Sequence, residues 1–194
     1  MRLTAENKRK IRDRITSGAA ELFREEGVDA VNLDQIMARA GLTRGAFYAH
    51  FKSKSDLFAE VMRRQHPVLA MLQSRKGEDG QTLWSEMRAI FADYLDPKNL
   101  EEVFVGCSFA ALTGETARAD ASVRAGFEQA LEDVVSEMAR GQTEIDHNRL
   151  RAGLVLASGA VTKAAACESK AARQSVLEAA AEAFDALLGA RTQP

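Results

Sequence analysis

Arg44, Tyr48, His50, Lys52 and Lys54 crowd into the stretch AGLTRGAFYAHFKSKSDLF, residues 40–58, of a chain that is only 6% aromatic. A guanidinium, a phenol, an imidazole and two ammonium groups set so close together can grip an anion or hydrogen-bond the edge of a flat ring. That is the chemistry of contact with a phosphate backbone and its bases. The same stretch supplies Leu42, Phe47, Phe51 and Phe58, which can close a small core, so it reads as core, contact surface or both. No other constellation competes with it. His50, His66 and His147 are scattered and no HExxH, phosphate-loop or GxSxG pattern occurs, so neither a metal site nor a catalytic triad assembles. The chain reads as a protein that is not an enzyme and needs no cofactor. Cys107 and Cys167 are too far apart for a CxxC site and read as free thiols.

The elements that must hold these groups are legible from periodicity. Ile11, Ile15, Ala19, Leu22 and Phe23 recur at helical spacing over residues 8–26, with Gly27 where a C-terminal cap belongs. Asn32 then precedes Leu33, Ile36, Met37 and Ala40, with Gln35 third in the helix, which is the pattern of a capping box. Gly41 ends this second helix. Thr43 is the next N-cap and Leu42 is spaced to staple onto Phe47, so a third helix is expected from about Arg44 to His50. Ser53 and Asp56 start a fourth, with Leu57, Phe58, Val61 and Met62 inward, which Pro67 must kink or end.

Three short helices with a glycine at the second junction are what a helix-turn-helix requires. At about 100° per residue Arg44 and Tyr48 share one stripe of the third helix, Gly45 and Ala49 lie beside them, and Phe47 turns inward. Arginine pairs bidentately with guanine, and small residues let a helix approach the groove closely. Lys52 and Lys54 stand at a helix start, where free amides and the helix dipole also attract phosphate. The competing readings are an exposed arginine on an ordinary three-helix module and, for His50, a half-buried histidine ending a short helix.

Beyond residue 64 the pattern stays helical. GEDG (residues 77–80) is a candidate linker. Leu83, Met87, Ile90, Phe91 and Leu95 mark a helix closed by Asp96-Pro97. Asn99 and Glu102 cap a segment that Gly106 interrupts, and Phe127, Leu131, Val134, Val135 and Met138 mark another helix before Gly141. Two last helices are expected over residues 147–167 and 170–188. With three prolines, thirteen glycines and no convincing strand in 194 residues, the fold class is all-α. Residues 1–64 hold 13 Lys/Arg against 9 Asp/Glu, a net of +4, and the remaining 130 hold 13 against 19, a net of −6. A basic head on an acidic body suggests that the head meets an anion. The longest uncharged apolar run, AGLVLASGAV at residues 152–161, is about half the roughly 20 residues a bilayer crossing requires. The basic N-terminus has no apolar run behind it to make a secretory signal. A cytoplasmic protein with no membrane partner is the expectation.

Taken together, the segment Ala19–Gly27 containing AELFREEG, NLDQIMARA (residues 32–40), GLTRGAFYAHF (41–51) and KSDL (54–57) resembles the tetracycline-repressor (TetR) family of bacterial regulators over about residues 8–62. The resemblance implies an N-terminal helix-turn-helix DNA-binding domain over residues 1–52. A larger helical ligand-binding and dimerisation domain follows over 53–194, with the fourth helix linking the two. It assigns Arg44, Gly45, Ala46 and Tyr48 to base-facing or groove-facing positions, and Tyr48, His50 and Lys54 to phosphate contact. With Thr43 and Lys52 these form the candidate DNA-binding set. Two positions depart from the family pattern: Val31 stands where Thr or Ser is common, and Met37 where a small Ala is usual. The implied function is a homodimeric repressor, released from a palindromic double-stranded operator by a small-molecule effector.

The body must be read from its own chemistry. Gly153, Ala157, Ala160 and Ala164 make a small-residue stripe on the penultimate helix, and Leu177, Ala181, Phe184 and Leu188 an apolar one on the last. Either the two helices pack against each other within the chain, or they form a four-helix interface with a second copy. Trp84, Met87, Phe91, Phe104, Phe109 and Phe127, with Cys107, are candidates for lining an effector pocket, or else ordinary core. Cys107 follows Gly106 in VGCSF. It reads either as a small buried residue or as a thiol activated at a helix N-terminus, which would make the protein a redox-sensing or electrophile-sensing repressor. A helical ligand-binding protein without DNA activity is the remaining alternative.

Overall fold

The computed structural model describes residues 5–64 and 66–188, and every regular element among them is helical. The order is α1 (Ala5–Glu26), α2 (Leu33–Arg39), a 3₁₀ helix (Arg44–Ala49), α3 (Lys54–Arg64), α4 (Pro67–Gln73) and α5 (Gly80–Leu95). A second 3₁₀ turn (Pro97–Asn99), α6 (Leu100–Gly106), α7 (Ser108–Ala111), α8 (Thr113–Arg118), α9 (Ala121–Met138), α10 (His147–Ala165) and α11 (Lys170–Leu188) follow. No helix among the described residues is long and apolar enough to cross a membrane.

The chain divides into two compact units, Met1–His66 with Ala111–Ala130, and Pro67–Ala110 with Leu131–Pro194. In the first, the periodic apolar positions meet as one core. Ile15, Ala19 and Phe23 of α1 join Ile36 and Met37 of α2, Phe47, Phe51, and Leu57, Phe58, Val61 and Met62 of α3. Phe23 and Phe58 pack edge to face with centroids 5.6 Å apart. Val31 and Met37, the two departures from the family pattern, are 1% exposed. Both are therefore core residues, where an extra methyl or thioether fills space. Leu112 and Val123 close the same core from the later segment.

The second unit is built on α5, the C-terminal part of α9 (residues 131–138), α10 and α11. Met87 and Phe91 of α5, Val134 and Met138 of α9, Leu150 and Ala157 of α10, and Leu177 and Phe184 of α11 are all buried, and Phe91 stacks on Phe184 with centroids 4.8 Å apart. Gly153 lies where a Cβ would come within 2.7 Å of Leu188 Cδ1 and 3.2 Å of Phe184 Cε2. The stripe Gly153, Ala157, Ala160, Ala164 is thus the seat of α11 inside the chain, because only small side chains let the two helices approach so closely. Arg75 is held by carbonyls, donating to Leu72 O and Leu83 O at 2.8 Å and to Glu137 O.

Most start and stop signals act where the sequence puts them. Asn32 and Gln35 form a reciprocal capping box, Gly27 takes φ +85, and Pro67 opens α4 rather than continuing α3. Asp79 of GEDG caps α5 by accepting from Thr82 N–H at 2.7 Å. Two differ. Thr43 makes no side-chain cap. Asn99 does not cap either: its amide donates to Asp93 O at 2.9 Å, and Asp96 holds that turn through Lys98 N–H at 2.9 Å.

Candidate nucleic-acid interface

The turn between α2 and the 3₁₀ helix is closed by backbone bonds from Gly41 N–H to Ala38 O and from Leu42 N–H to Met37 O, at 2.9 and 2.8 Å. Gly41 sits at φ +65, in the left-handed region that glycine enters without a Cβ penalty. Phe47 is fully buried and pins the next segment to the core. His50 N–H and Phe51 N–H both reach Phe47 O, at 2.9 and 3.0 Å, so the segment winds as a 3₁₀ helix and not as the α-helix its spacing predicts. At three residues per turn Gly45 falls in line with Tyr48, and Arg44 stands a third of a turn away. The single stripe shared by Arg44 and Tyr48 is replaced by a broader outward surface.

That surface carries most of the predicted set. Thr43, Arg44, Gly45, Tyr48 and Lys52 are exposed, and Ala46 is half-buried against the core. Tyr48 is 63% exposed, its ring braced edge-on by Phe47 with centroids 5.3 Å apart. Nothing lies within 4 Å of a Cβ built on Gly45, so the chain's own packing does not require glycine there. Arg44 Nη1 donates to Asp34 Oδ2 at 2.7 Å.

His50 and Lys54 are placed differently. The carbonyl of His50 accepts from the Arg12 guanidinium, and its half-buried ring leaves Nδ1 without a hydrogen bond. Burial, then the charges of Lys8 and Arg12, lower its pKa below the usual histidine value, so the ring is neutral near pH 7. Lys54 Nζ donates to Val28 O at 2.8 Å and to Val31 O at 3.0 Å, fastening the loop after α1 to the start of α3. An ammonium has three donors, so one remains for a phosphate. Glu115 accepts from Val28 N–H at 3.1 Å and Ser55 donates to Asp120 at 2.6 Å, which fixes the same corner from the later segment.

Sequence reasoning missed Arg12, Lys8 and Asp34. Arg12 lies 4.1 Å over the Phe51 ring and reaches buried Glu60 at 3.3 Å. Lys8 lies one helical turn before it, near His50. The i, i+4 spacing of the two cations on the first helix was the available signal.

The effector-pocket candidates separate. Phe127 packs against the core of the first unit, whereas Trp84, Met87, Phe91, Phe104, Cys107 and Phe109 belong to the second. Met87 and Phe91 are fully buried, Trp84, Cys107 and Phe109 nearly so, and Phe104 half-buried. Trp84 Nε1 is buried without a hydrogen-bond partner. Cys107 Sγ accepts from Tyr94 O–H at 3.0 Å; burial and this thiol push the Tyr94 pKa well above its ordinary value. A cavity of about 730 Å³ in the second unit is lined instead by Asp96, Lys98, Leu100, Glu101, Lys170 and Arg173, among others. Among the described residues no group of His, Cys, Asp and Glu is arranged to hold a metal ion.

Comparison with known proteins converges on the same region. Residues 15–61 match the family model described as bacterial regulatory proteins, tetR family. The Transposon Tn10 TetC protein of Escherichia coli is 35% identical over 91 residues, 47% of this chain and 46% of the relative. The HTH-type transcriptional regulator TtgW of Pseudomonas putida is 44% identical over 68 residues, 34% of this chain and 51% of the relative. The chain thus spans about half the length of these curated relatives. Among solved structures, reduced E. coli NemR superposes with a TM-score of 0.68 at 16% identity, covering 88% of this chain and 95% of the other. That likeness extends the shared fold to the body.

Proposed function

We propose that this chain, whose residues 15–61 match the model of the tetR family of bacterial regulators, is a DNA-binding transcriptional regulator, released from a palindromic operator by a small-molecule effector. The observation that carries the reading is the outward surface around Arg44 and Tyr48, on a 3₁₀ helix pinned by buried Phe47. Arg44 reads a base edge in the major groove, Gly45 and Ala46 leave room for the approach, and Thr43, Tyr48 and Lys52 contact phosphates. Lys54 contributes its remaining N–H. His50, neutral and half-buried, supports the helix end and meets the backbone only at its rim. Repression is the simplest output, since an occupied operator excludes other proteins.

One recognition surface binds weakly, and two related by a twofold axis read two half-sites about 34–36 Å apart or a multiple of that. We propose a homodimer through α10 and α11, by a face other than the stripes that seat them on each other. Ala152 and Val155 are exposed on α10, with Leu156 and Gly159 half-buried beside them. Val176, Ala179, Ala183, Ala186 and Leu187 line one flank of α11 without a charge. An effector binding in the second unit releases DNA only if it prefers the DNA-incompetent arrangement of the dimer. Trp84, with its unpartnered indole N–H, heads the candidates for holding it. A sensing role for Cys107 is disfavoured by its burial and its bond to Tyr94.

Selection of bound sequences from random DNA tests the reading. One palindromic consensus with a steep loss of affinity at rising salt is the expected result. Recovery of no preferred sequence would leave a helical ligand-binding protein without DNA activity.

A further inference from the structure

We infer that Asp34 is a specificity-determining positioning residue: it holds Arg44 so that two guanidinium donors stay free to read a guanine. This rests on the proposed DNA reading. Asp34 occupies the first turn of α2, whose register is locked by the reciprocal bonds of Asn32 and Gln35. Its Oδ2 accepts from Arg44 Nη1 at 2.7 Å. Both side chains remain largely exposed, at 60% and 62%, so the pair is not a core contact and adds little to stability. Its consequence is geometric.

A guanidinium presents five N–H donors in a planar fork. With Nη1 engaged by Asp34, the edge formed by Nε and Nη2 still offers two parallel donors, the number that guanine O6 and N7 accept. The ion pair therefore need not break for the base to be read. Holding a long side chain in one rotamer beforehand removes part of the ordering cost that binding otherwise carries. The carboxylate also opposes phosphate, since an anion beside Arg44 repels a backbone that approaches out of register. Asp34 thus favours the correct base twice, by orienting the reader and by disfavouring contacts that neutralise charge alone.

The test compares wild type, Asp34→Ala, Asp34→Asn and Arg44→Ala on the selected operator, on operators with each base replaced at the position that Arg44→Ala ceases to discriminate, and on random duplex. Thermal melting confirms that each variant folds. Asp34→Ala is expected to bind the operator about three- to tenfold more weakly and to lose much of its guanine preference at that one position. Its affinity for random duplex should be unchanged or raised. Asp34→Asn, which keeps an oxygen acceptor without the charge, should fall between. In an Arg44→Ala background, removing Asp34 should have no further effect on base preference. The inference is overturned if wild type selects an operator and Asp34→Ala keeps the full guanine preference, or loses specific and random affinity equally. If wild type selects no operator, it is the DNA reading itself that fails.

Discussion

At the scale of single residues, the structure gives two predicted phosphate contacts work inside the protein. Lys54 satisfies the carbonyls of Val28 and Val31, so Lys54→Ala removes a charged donor from one half-buried and one buried residue. A loss of about 1–3 kcal/mol is expected in urea or thermal unfolding, in addition to any fall in DNA affinity. A lysine serving only as a phosphate contact would change the salt dependence of binding and leave unfolding untouched. His50 carries the pH dependence. Its folded pKa is lowered by burial, Lys8 and Arg12, so near and below the unfolded histidine value of about 6.5 the unfolded chain binds the proton more readily. The contribution of a neutral His50 is present above that value. It is lost as pH falls from about 6.5 toward the folded pKa, and the loss levels off below it. Histidine to glutamine at position 50 should flatten this part of the stability profile. An unchanged slope in the variant would show that His50 is not the titrating group.

At the scale of elements, the two glycines of the motif should respond in opposite ways. Gly41 takes φ +65, and a Cβ there would stand 2.9 Å from Arg14 Nη2, which itself caps the end of α2 by donating to Ala40 O. Gly41→Ala should cost about 1–2 kcal/mol from the left-handed backbone alone. Gly45 has open space around it, so Gly45→Ala should keep or slightly raise stability while weakening operator binding through a methyl at the groove. Equal losses of stability in both would contradict this division. The sequence made α1, the capping box and the turn at Gly41 legible because their causes are local: a cap, a period, a positive φ. It predicted an α-helix at 44–50 because six residues cannot reveal whether Phe47 O accepts from position 50, 51 or both; only burial of Phe47 and Phe51 in one core decides. The outward set survived that change because Phe47 alone determines which side faces in. The acceptors of Lys54 and the grip of Glu115 on Val28 are tertiary, and no spacing announces them. Nor does any spacing announce that residues 111–130 return to the first unit.

At the scale of the whole molecule, α10 and α11 each carry two apolar faces at helical period, and periodicity alone does not say which partner each face meets. The structure assigns one. Gly153 lies under Leu188 and Phe184, so that stripe is interior, and Val155 is left 58% exposed on the other. Substitutions on the two faces of α10 should therefore separate folding from assembly. Gly153→Val places methyls where Leu188 Cδ1 already sits within 2.7 Å of a Cβ, and overpacking of this kind costs about 1–3 kcal/mol, so the thermal midpoint should fall. Val155→Glu changes nothing inside the chain and should melt as wild type does. It buries a carboxylate at the proposed interface, where an unpaired charge is not tolerated, and should sediment as a monomer at concentrations where wild type is a dimer. Its affinity for the full palindrome should then drop toward that for a half-site, a loss on the order of 10²–10⁴ if the avidity of two linked sites is removed. Ala183→Glu, on the flank of α11, should reproduce the dissociation by an independent route. If both variants still sediment as dimers and bind the palindrome at full strength, the copies meet elsewhere and the exposed face of α10 and α11 has another occupant.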